Sequence, residues 1–520
     1  MGSVEHTSTF HEGMDSIYQV NEAVLGHARP MRVVCIGAGA TGLDLAYRVS
    51  RHLQSVDLQL YDKNEILGGT WFENTYPGCA CDIPAHIYEY EWAPNANWTQ
   101  FYASGPEILQ YFRDTARTHD LEKYIKLRSE VIEARWAEDE GKWMLKIKSH
   151  STGAIIDDWC HFLVNGGGFL NHWQWPNIRD LHTFKGALLH SASWNAKVDL
   201  EKKNIAVIGN GSSGIQLVTA LQQDTANQKL EFAEYPEKHL EYRKAIENDL
   251  NNGFKSALYD SPEQALARKT LTNMMRIRLG NHHALADRIT PSFGVGCRRP
   301  TPGVGYLEAL TEQNVRVVFD PIKRVVPQGI ELETGEVIQL DAIVCATGFN
   351  VSWKPRFPII GRGGVDMRDQ WTSRPTAYLS LAVPNFPNYI LYMGPNGPLS
   401  HGSALPSIEH ITRYVIKLLY KMQIEGYKAV VPSQQALDDF IQHADAFLAR
   451  TGEMMVRLLS ILEVGFTGFT RYQLLGGKTG SGPLGIATGS HTLGMGSLPW
   501  TEKTKINLGI LGMQILDMRR

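Results

Sequence analysis

Two copies of one short pattern constrain this chain more than anything else in it. Gly37-Ala-Gly39-Ala-Thr-Gly42 and Gly209-Asn-Gly211-Ser-Ser-Gly214 both read GxGxxG. Met31-Arg-Val-Val-Cys-Ile36 precedes the first, as expected of a strand buried on both faces, and Leu43 to Arg51 follows with helical spacing. Strand, glycine turn and helix in that order make a dinucleotide cradle. The first glycine permits the tight turn, the second lets backbone approach a pyrophosphate, and the third lets helix pack on strand. The helix N-terminus then offers amide donors and a positive dipole end to the phosphates. A second strand, Asp57 to Tyr61, runs into Asp62, which is placed to accept hydrogen bonds from ribose hydroxyls.

The unit recurs. Asn204-Ile-Ala-Val-Ile208 precedes Gly209, Gly211, Ser212, Ser213 and Gly214, and Ile215 to Leu221 continues with helical spacing. The expected fold is therefore α/β, with two Rossmann-like dinucleotide-binding domains and a partly helical inserted region. The boundaries expected are an extension over 1–29 and the first part of the first domain over 30–170. A linker over 171–203 leads to the second domain, with its helical insertion, over 204–349. The first domain resumes over 350–450, and a glycine-rich tail fills 451–520.

A chain of 520 residues can bury several cores, and 43% hydrophobic with 20% charged residues is ordinary for a soluble globular protein. The formal net charge of -3 gives no reason to expect nucleic acid or an acidic membrane as partner. Six scattered cysteines do not make a disulfide framework. Cys79-Ala-Cys81 is half of a metal-binding pattern with no second pair nearby, so reduced thiols are the simpler reading and no metal is expected. The N-terminus lacks the apolar core of a signal peptide, and no apolar run reaches the ~18 residues of a membrane span. A cytoplasmic location is expected.

Other stretches carry chemistry. Leu67-Gly-Gly69-Thr70-Trp71 allows backbone to approach a flat ring that Trp71 could pack beside, and Asn74-Thr-Tyr-Pro-Gly78 then leads to Asp82. An N-cap or turn acid is an equally good reading of Asp82 from the residues alone. Trp143 to Ile147 and Ile155 to Cys160 alternate like a hairpin. Phe162 to Gly168 and Asp341-Ala-Ile-Val-Cys-Ala-Thr347-Gly348-Phe349 each return a buried strand to a glycine turn. Adjacent Arg298 and Arg299, in a short loop with Pro and Gly, point to anion binding. Glu409 to Met422 and Gln434 to Leu448 read as amphipathic helices.

Phe184-Lys-Gly186-Ala-Leu-Leu-His190-Ser-Ala-Ser-Trp194 follows the pattern FxGxxxHxxxW, which resembles the fingerprint of Baeyer–Villiger monooxygenases. The segment GGTW…YPG…D, ending at Asp82, is similar to the flavin-contacting segment of class B flavoprotein monooxygenases. The resemblance implies FAD in the first cradle and NADPH in the second. It makes Asp82 the active-site carboxylate and Arg299 the catalytic arginine, held by Asp82 and able to stabilise a peroxide anion on the flavin. It also sets Arg298 toward the coenzyme phosphate, Thr347 and Gly348 at the crossover between domains, and Asn396 of Gly394-Pro-Asn396 near the flavin ring. The implied partners are O2 and a ketone, a polyketide or terpenoid of fungal secondary metabolism, converted to an ester or lactone. N- or S-oxygenation is the alternative, and a flavin protein without turnover is another.

Two departures bear on this. After the strand-like Lys229 to Ala233, where the family has an arginine for the 2′-phosphate, this chain has Glu234-Tyr-Pro-Glu237. Either NADH is preferred, or Lys238, Arg243 and Arg298 substitute, or a segment has been lost together with tight coenzyme binding. Beyond Arg450 the family's Trp-containing substrate loop gives way to Met454-Met-Val-Arg-Leu-Leu and a glycine-rich run. The fingerprint stretch itself is expected to be a packed interdomain connector, with Phe184, His190 and Trp194 as anchors and Gly186 as a bend.

Overall fold

The structure is a computed structural model that describes residue 24 and residues 26–222, 236–280, 282–296, 301–397 and 402–451, together with the backbone of Met513–Leu516. The first domain is built on a five-stranded parallel sheet. Its order is Tyr389–Leu391, Phe162–Asn165, Met31–Ile36, Val56–Tyr61 and Ile125–Lys126. Met31–Ile36 is central and buried on both faces, and its alternation sorts the side chains. Met31, Val33 and Cys35 join the helix-side core, while Val34 joins the core on the other face.

Helices Ala40–His52, Gly105–Thr118 and Ala404–Ile424 contribute to the helix-side core. An ion-paired core contact ties the first of these to the third. Arg48 lies 3.0 Å from Asp44 and 2.9 Å from Glu409, all three buried, and Trp92 donates its indole N–H to Asp44 at 2.9 Å. The opposite face is covered by a second sheet. Ser129–Ala137, Lys142–Ser149 and Ile155–Cys160 form an antiparallel meander, and Ile359–Ile360 adds a short parallel strand at its edge. Trp143, Trp371, Phe386 and Tyr389 fill the space between the two sheets. The expected hairpin is thus two thirds of that meander.

The second domain has a three-stranded parallel sheet in the order Ala187–His190, Ala342–Cys345, Ile205–Ile208. This corrects the linker expectation for four residues of the fingerprint. Ala187–His190 is an edge strand of the coenzyme-side sheet, and Gly186 is demanded by close approach. A Cβ there would lie 2.3 Å from the Asp341 carbonyl oxygen and 2.6 Å from the Phe184 ring. A separate antiparallel sheet, Ile322–Val326, Gly329–Leu332 and Val337–Gln339, packs beside it, and Phe184 sits in their shared core.

The inserted region consists of helices Pro236–Asn252, Pro262–Arg278 and His283–Ile289. The last two helices among the described residues are Ala404–Ile424 and Gln434–Leu448, each beginning at a serine cap. Ser433, for example, accepts from the Ala436 N–H at 3.1 Å. Within the stretch expected to be a glycine-rich tail, Met513–Leu516 pairs antiparallel with Ala429–Pro432. The rest of 452–520 lies outside the described residues. Among the described residues, no helix is long and apolar enough to cross a membrane.

Candidate functional site

Both glycine loops sit at the C-terminal ends of parallel strands, where open α/β sheets hold ligands. Gly42 shows why the first loop needs its third glycine. A Cβ would lie 2.3 Å from the Gly37 carbonyl oxygen and 3.0 Å from Leu60, forcing helix from strand. Gly39 and Gly69 face each other so closely that a Cβ on Gly69 would stand 3.2 Å from the Gly39 Cα. The Gly68 N–H also donates to the Ala38 carbonyl at 3.1 Å, so the two glycine segments form one wall. Asp62 braces that wall. Its carboxylate accepts from the N–H groups of Ala38 at 2.7 Å and Asn64 at 2.8 Å, and burial pushes its pKa above the ordinary value against those two bonds. Each oxygen retains lone-pair capacity for a ribose hydroxyl.

Thr70 opens the short helix Thr70–Glu73, and its hydroxyl accepts from the Asn74 amide at 3.0 Å. The Trp71 indole donates to the Tyr88 hydroxyl at 3.1 Å, the two rings meeting edge-on with centroids 5.6 Å apart. From here the chain crosses to the second domain. The Tyr76 hydroxyl donates to Gln216 Oε1 at 2.7 Å and accepts from Ser213 Oγ at 3.1 Å. Gln216 Nε2 donates to the Ala80 carbonyl at 3.0 Å. Gly78 packs so tightly on the same helix that a Cβ would lie 2.7 Å from the Gln216 carbonyl oxygen. Asp82 follows, half-buried, and its negative charge adds to the burial that raises the Tyr102 hydroxyl pKa. Burial pushes the Cys79 thiol up to about 11, which suits an inert packed thiol better than a ligand.

The second loop repeats the first. A Cβ on Gly214 would lie 2.2 Å from the Gly209 carbonyl oxygen, and Gly209 itself has φ +116° under the Ala346 carbonyl. Gly211 differs, because nothing among the described residues lies within 4 Å of the position its Cβ would take. The hydroxyls of Ser212 and Thr301 are 2.6 Å apart. Ser212–Gln222 is the helix that the loop opens. Thr347 and Gly348 follow the central strand, Gly348 at φ +82°, and the Thr347 hydroxyl is 3.3 Å from His190 Nε2. Asn396 is buried in the left-handed region at φ +64°, a conformation Asn tolerates.

His190 is held rather than poised. Its Nδ1 accepts from the Ala192 N–H at 3.1 Å, which leaves the proton on Nε2 facing Thr347. Its ring stacks on Trp173 with centroids 4.4 Å apart, and burial lowers its pKa. Trp194 packs in a cluster shared by Tyr76 and Cys79 of the first domain and Leu217 and Val344 of the second.

Arg298 and Arg299 lie outside the described residues, as do Lys229 to Ala233, Glu234 and the side chains of Glu237 and Lys238. Arg243 is described, and its position corrects the suggestion that it substitutes at a 2′-phosphate. Its Nε lies 3.1 Å from Glu89 in the first domain, neither atom making an aligned hydrogen bond, so the contact is ionic. Glu89 accepts from the Trp98 indole at 2.8 Å and the Asn95 N–H at 2.9 Å. Burial pushes its carboxyl up to about 7, with Arg243 opposing the rise. Beside it, His86 Nδ1 and His239 Nε2 are 2.8 Å apart and buried, and burial lowers His86 to about 4, helped by the charges of His239 and Arg243. This polar cluster fastens the inserted helix Pro236–Asn252 to the first domain. Sequence reasoning passed over it. The available signal was an acid amid Tyr88, Tyr90 and Trp92, and a His and an Arg four apart on one helix.

Comparison with known proteins agrees with this geometry. Residues 35–104 match the NAD(P)-binding Rossmann-like domain, and residues 90–233 match the flavin-binding monooxygenase-like family. The FAD-binding monooxygenase tazF of Aspergillus terreus is 37% identical over 473 residues, covering 84% of each chain. This chain belongs to the flavin-binding monooxygenases. A Baeyer-Villiger monooxygenase of Pseudomonas aeruginosa is 30% identical over 80% of this chain and 82% of its own. Cyclohexanone monooxygenase from Rhodococcus sp. Phi1 bound to NADP+ superposes with a TM-score of 0.70 at 25% identity, over 81% of this chain and 90% of that one. The family resemblance drawn from the two motifs, and the expectation of two Rossmann-like domains, are both borne out.

Proposed function

We propose that this chain is a Baeyer–Villiger monooxygenase that consumes NADPH and O2 to convert a ketone into an ester or lactone. A ketone, O2, NADPH and a proton give ester, water and NADP+, so one oxygen atom enters the product and the other leaves as water. One observation carries the reading: two glycine cradles, each at the C-terminal edge of its own parallel sheet, joined by the Tyr76–Ala80 segment that leads into Asp82. The FAD-binding relatives and the NADP+-bound neighbour support the assignment of one nucleotide to each cradle.

The residues fit those groups. Gly39 and Gly69 leave a backbone wall with no side chain, and Gly211, with no described residue over it, presents a second such surface. Gly37, Gly39 and Gly42 would hold the FAD pyrophosphate, Asp62 its ribose, and Gly69, Thr70, Trp71 and Asn396 the surroundings of the ring. Gly209, Gly211, Ser212, Ser213 and Gly214 would hold the NADPH pyrophosphate, with Thr347 and Gly348 at the crossover and Arg298 facing the phosphates. FAD, once bound, supplies the hydride and oxygen chemistry. The chain's own part is to orient the nucleotides, exclude water, and present the Arg299 cation, held by the Asp82 carboxylate, where negative charge develops. A fungal secondary metabolite, a polyketide or terpenoid ketone, is the proposed substrate, as the resemblance of the motifs implies.

Anaerobic stopped-flow mixing of the FAD-loaded protein with NADPH or NADH tests the first half, read as bleaching near ~450 nm. Millimolar coenzyme that leaves the flavin oxidised would sink the enzyme reading and leave a flavin protein without turnover. Product analysis with a cyclic ketone and a thioether tests the second half. Sulfoxide without lactone would move the chain to the S-oxygenating class.

A further inference from the structure

Tyr76 and Ser213 come from different domains and share one hydrogen bond. The Tyr76 ring is buried among Cys79, Leu189, Leu217, Val344 and Ala346, so its hydroxyl cannot turn to solvent without unpacking that cluster. Its single proton goes to Gln216 Oε1 at 2.7 Å, and its oxygen accepts the Ser213 proton at 3.1 Å. A serine hydroxyl has one proton to give. While it is given to Tyr76, the Ser213 hydroxyl meets an anion only with lone pairs. Ser213 lies in the first turn of the helix that opens from the second glycine loop, two residues from the bare backbone at Gly211. The rest of the contact is clamped by Gly78 against the Gln216 carbonyl and by Gln216 Nε2 on the Ala80 carbonyl.

We infer that Tyr76 competes with the coenzyme pyrophosphate for the Ser213 proton, so that Tyr76 is a positioning residue that ties coenzyme affinity to domain docking. When the phosphate draws Ser213 away, one of the bonds holding the second domain on the first is given up. Coupling is reciprocal, so bound coenzyme loosens docking by the same factor that docking weakens coenzyme. This deepens the reading of Gly209 to Gly214 as an NADPH site and rests on it.

The test is the Kd of NADP+ for the FAD-loaded protein, by calorimetry, in wild type, Tyr76→Phe, Ser213→Ala and the double variant. Tyr76→Phe keeps the buried ring and removes the competing oxygen. It is expected to tighten NADP+ binding about fivefold, the scale of one neutral hydrogen bond. The gain should vanish in the Ser213→Ala background. Unchanged or weaker binding by Tyr76→Phe overturns the inference, and so does an equal gain when Ser213 is already alanine. A thermal unfolding midpoint for each variant separates a local change from misfolding. Wild-type protein that binds no NADP+ at all would remove the coenzyme site itself, an outcome distinct from a binding protein indifferent to Tyr76.

Discussion

The second glycine loop makes a prediction in which stability and binding part company. Gly214→Ala places a Cβ 2.2 Å from the Gly209 carbonyl oxygen and 3.0 Å from its carbon, both rigid backbone atoms. Helix Ser212–Gln222 must then move off strand Ile205–Ile208, an overpacking that costs about 1–3 kcal/mol or more. Gly211→Ala meets nothing among the described residues within 4 Å, and Gly211 lies outside the left-handed region, so a side chain there strains no backbone. By removing freedom from the unfolded chain it should be neutral or stabilising by about 0.4–1 kcal/mol. If Gly211 is bare because a phosphate must approach its backbone, the same methyl group should weaken NADP+ binding at least ~10-fold, the equivalent of about 1.4 kcal/mol. Thermal unfolding and calorimetric NADP+ titration of the FAD-loaded variants separate the two effects. Gly211→Ala that binds NADP+ as wild type does would refute the phosphate argument. Gly214→Ala that unfolds at the wild-type temperature would refute the packing argument.

Arg243→Met should destabilise the protein by about 3 kcal/mol in denaturant unfolding, because it strands Glu89 in a buried site, and Glu89→Gln should recover much of that loss. The buried His86, facing His239, Arg243, Glu89 and Tyr242, is depressed to about 4, so its contribution is present above its ordinary value of 6.5 and is lost as pH falls from there toward 4. Glu89 is raised to about 7, so its contribution has the opposite sign: present below 4.5 and lost as pH rises through 7. Unfolding free energies measured across pH 4–8 should therefore show a smaller acid-side fall in His86→Gln, the remainder coming from His161 and His410, which burial also lowers to about 4; an unchanged profile would show that His86 does not contribute. Arg299→Ala is expected to leave flavin reduction intact while abolishing lactone formation, read by stopped flow and product analysis, and unchanged lactone yield would refute its assigned role.

What the residues disclosed beforehand follows from how local each signal is. Met31–Ile36 with Gly37, Gly39 and Gly42 is a continuous unit whose steric demands stay within one strand–turn–helix, so its element type could be read directly. The same holds for helix Gln434–Leu448, bounded by the Ser433 cap. Ala187–His190 was harder, because an edge strand announces itself through its partner, and Ala342–Cys345 lies far along the chain. Gly186 looked like a bend for the same reason, since the Asp341 carbonyl that excludes a side chain is supplied by that distant segment. The Glu89–Arg243 pair and the Tyr76–Ser213 bond join residues more than a hundred positions apart through side-chain atoms alone. Such pairings leave no periodic trace. Chemistry of single residues can nominate Glu89 or Tyr76, but only packing supplies their partners.

Contacts within the first domain and contacts between the domains differ in kind, and the difference bears on how the enzyme can work. Within the first domain, the sheet is locked by apolar cores on both faces, where Val33, Val34 and Cys35 have no exposure and any displacement opens cavities. Between the domains, one small apolar cluster around Tyr76, Leu217 and Trp194 is supplemented by hydroxyl and amide bonds, Tyr76 to Gln216 and Ser213, and Gln216 to Ala80, while the buried Glu89–Arg243 pair holds the inserted helix. Neutral hydrogen bonds of that kind contribute about 1 kcal/mol each and exchange readily for water or for a ligand oxygen. The helix that follows the second glycine loop can therefore exchange those bonds at small cost, whereas the first domain's sheet cannot deform without opening cavities. Because this contact runs through Tyr76–Ala80, and the next residues lead to Asp82, a shift of the coenzyme helix would act directly on the segment that carries the proposed active-site carboxylate. Were FAD and NADPH held in the two cradles, bringing them together would call on compliance at this boundary and rigidity elsewhere.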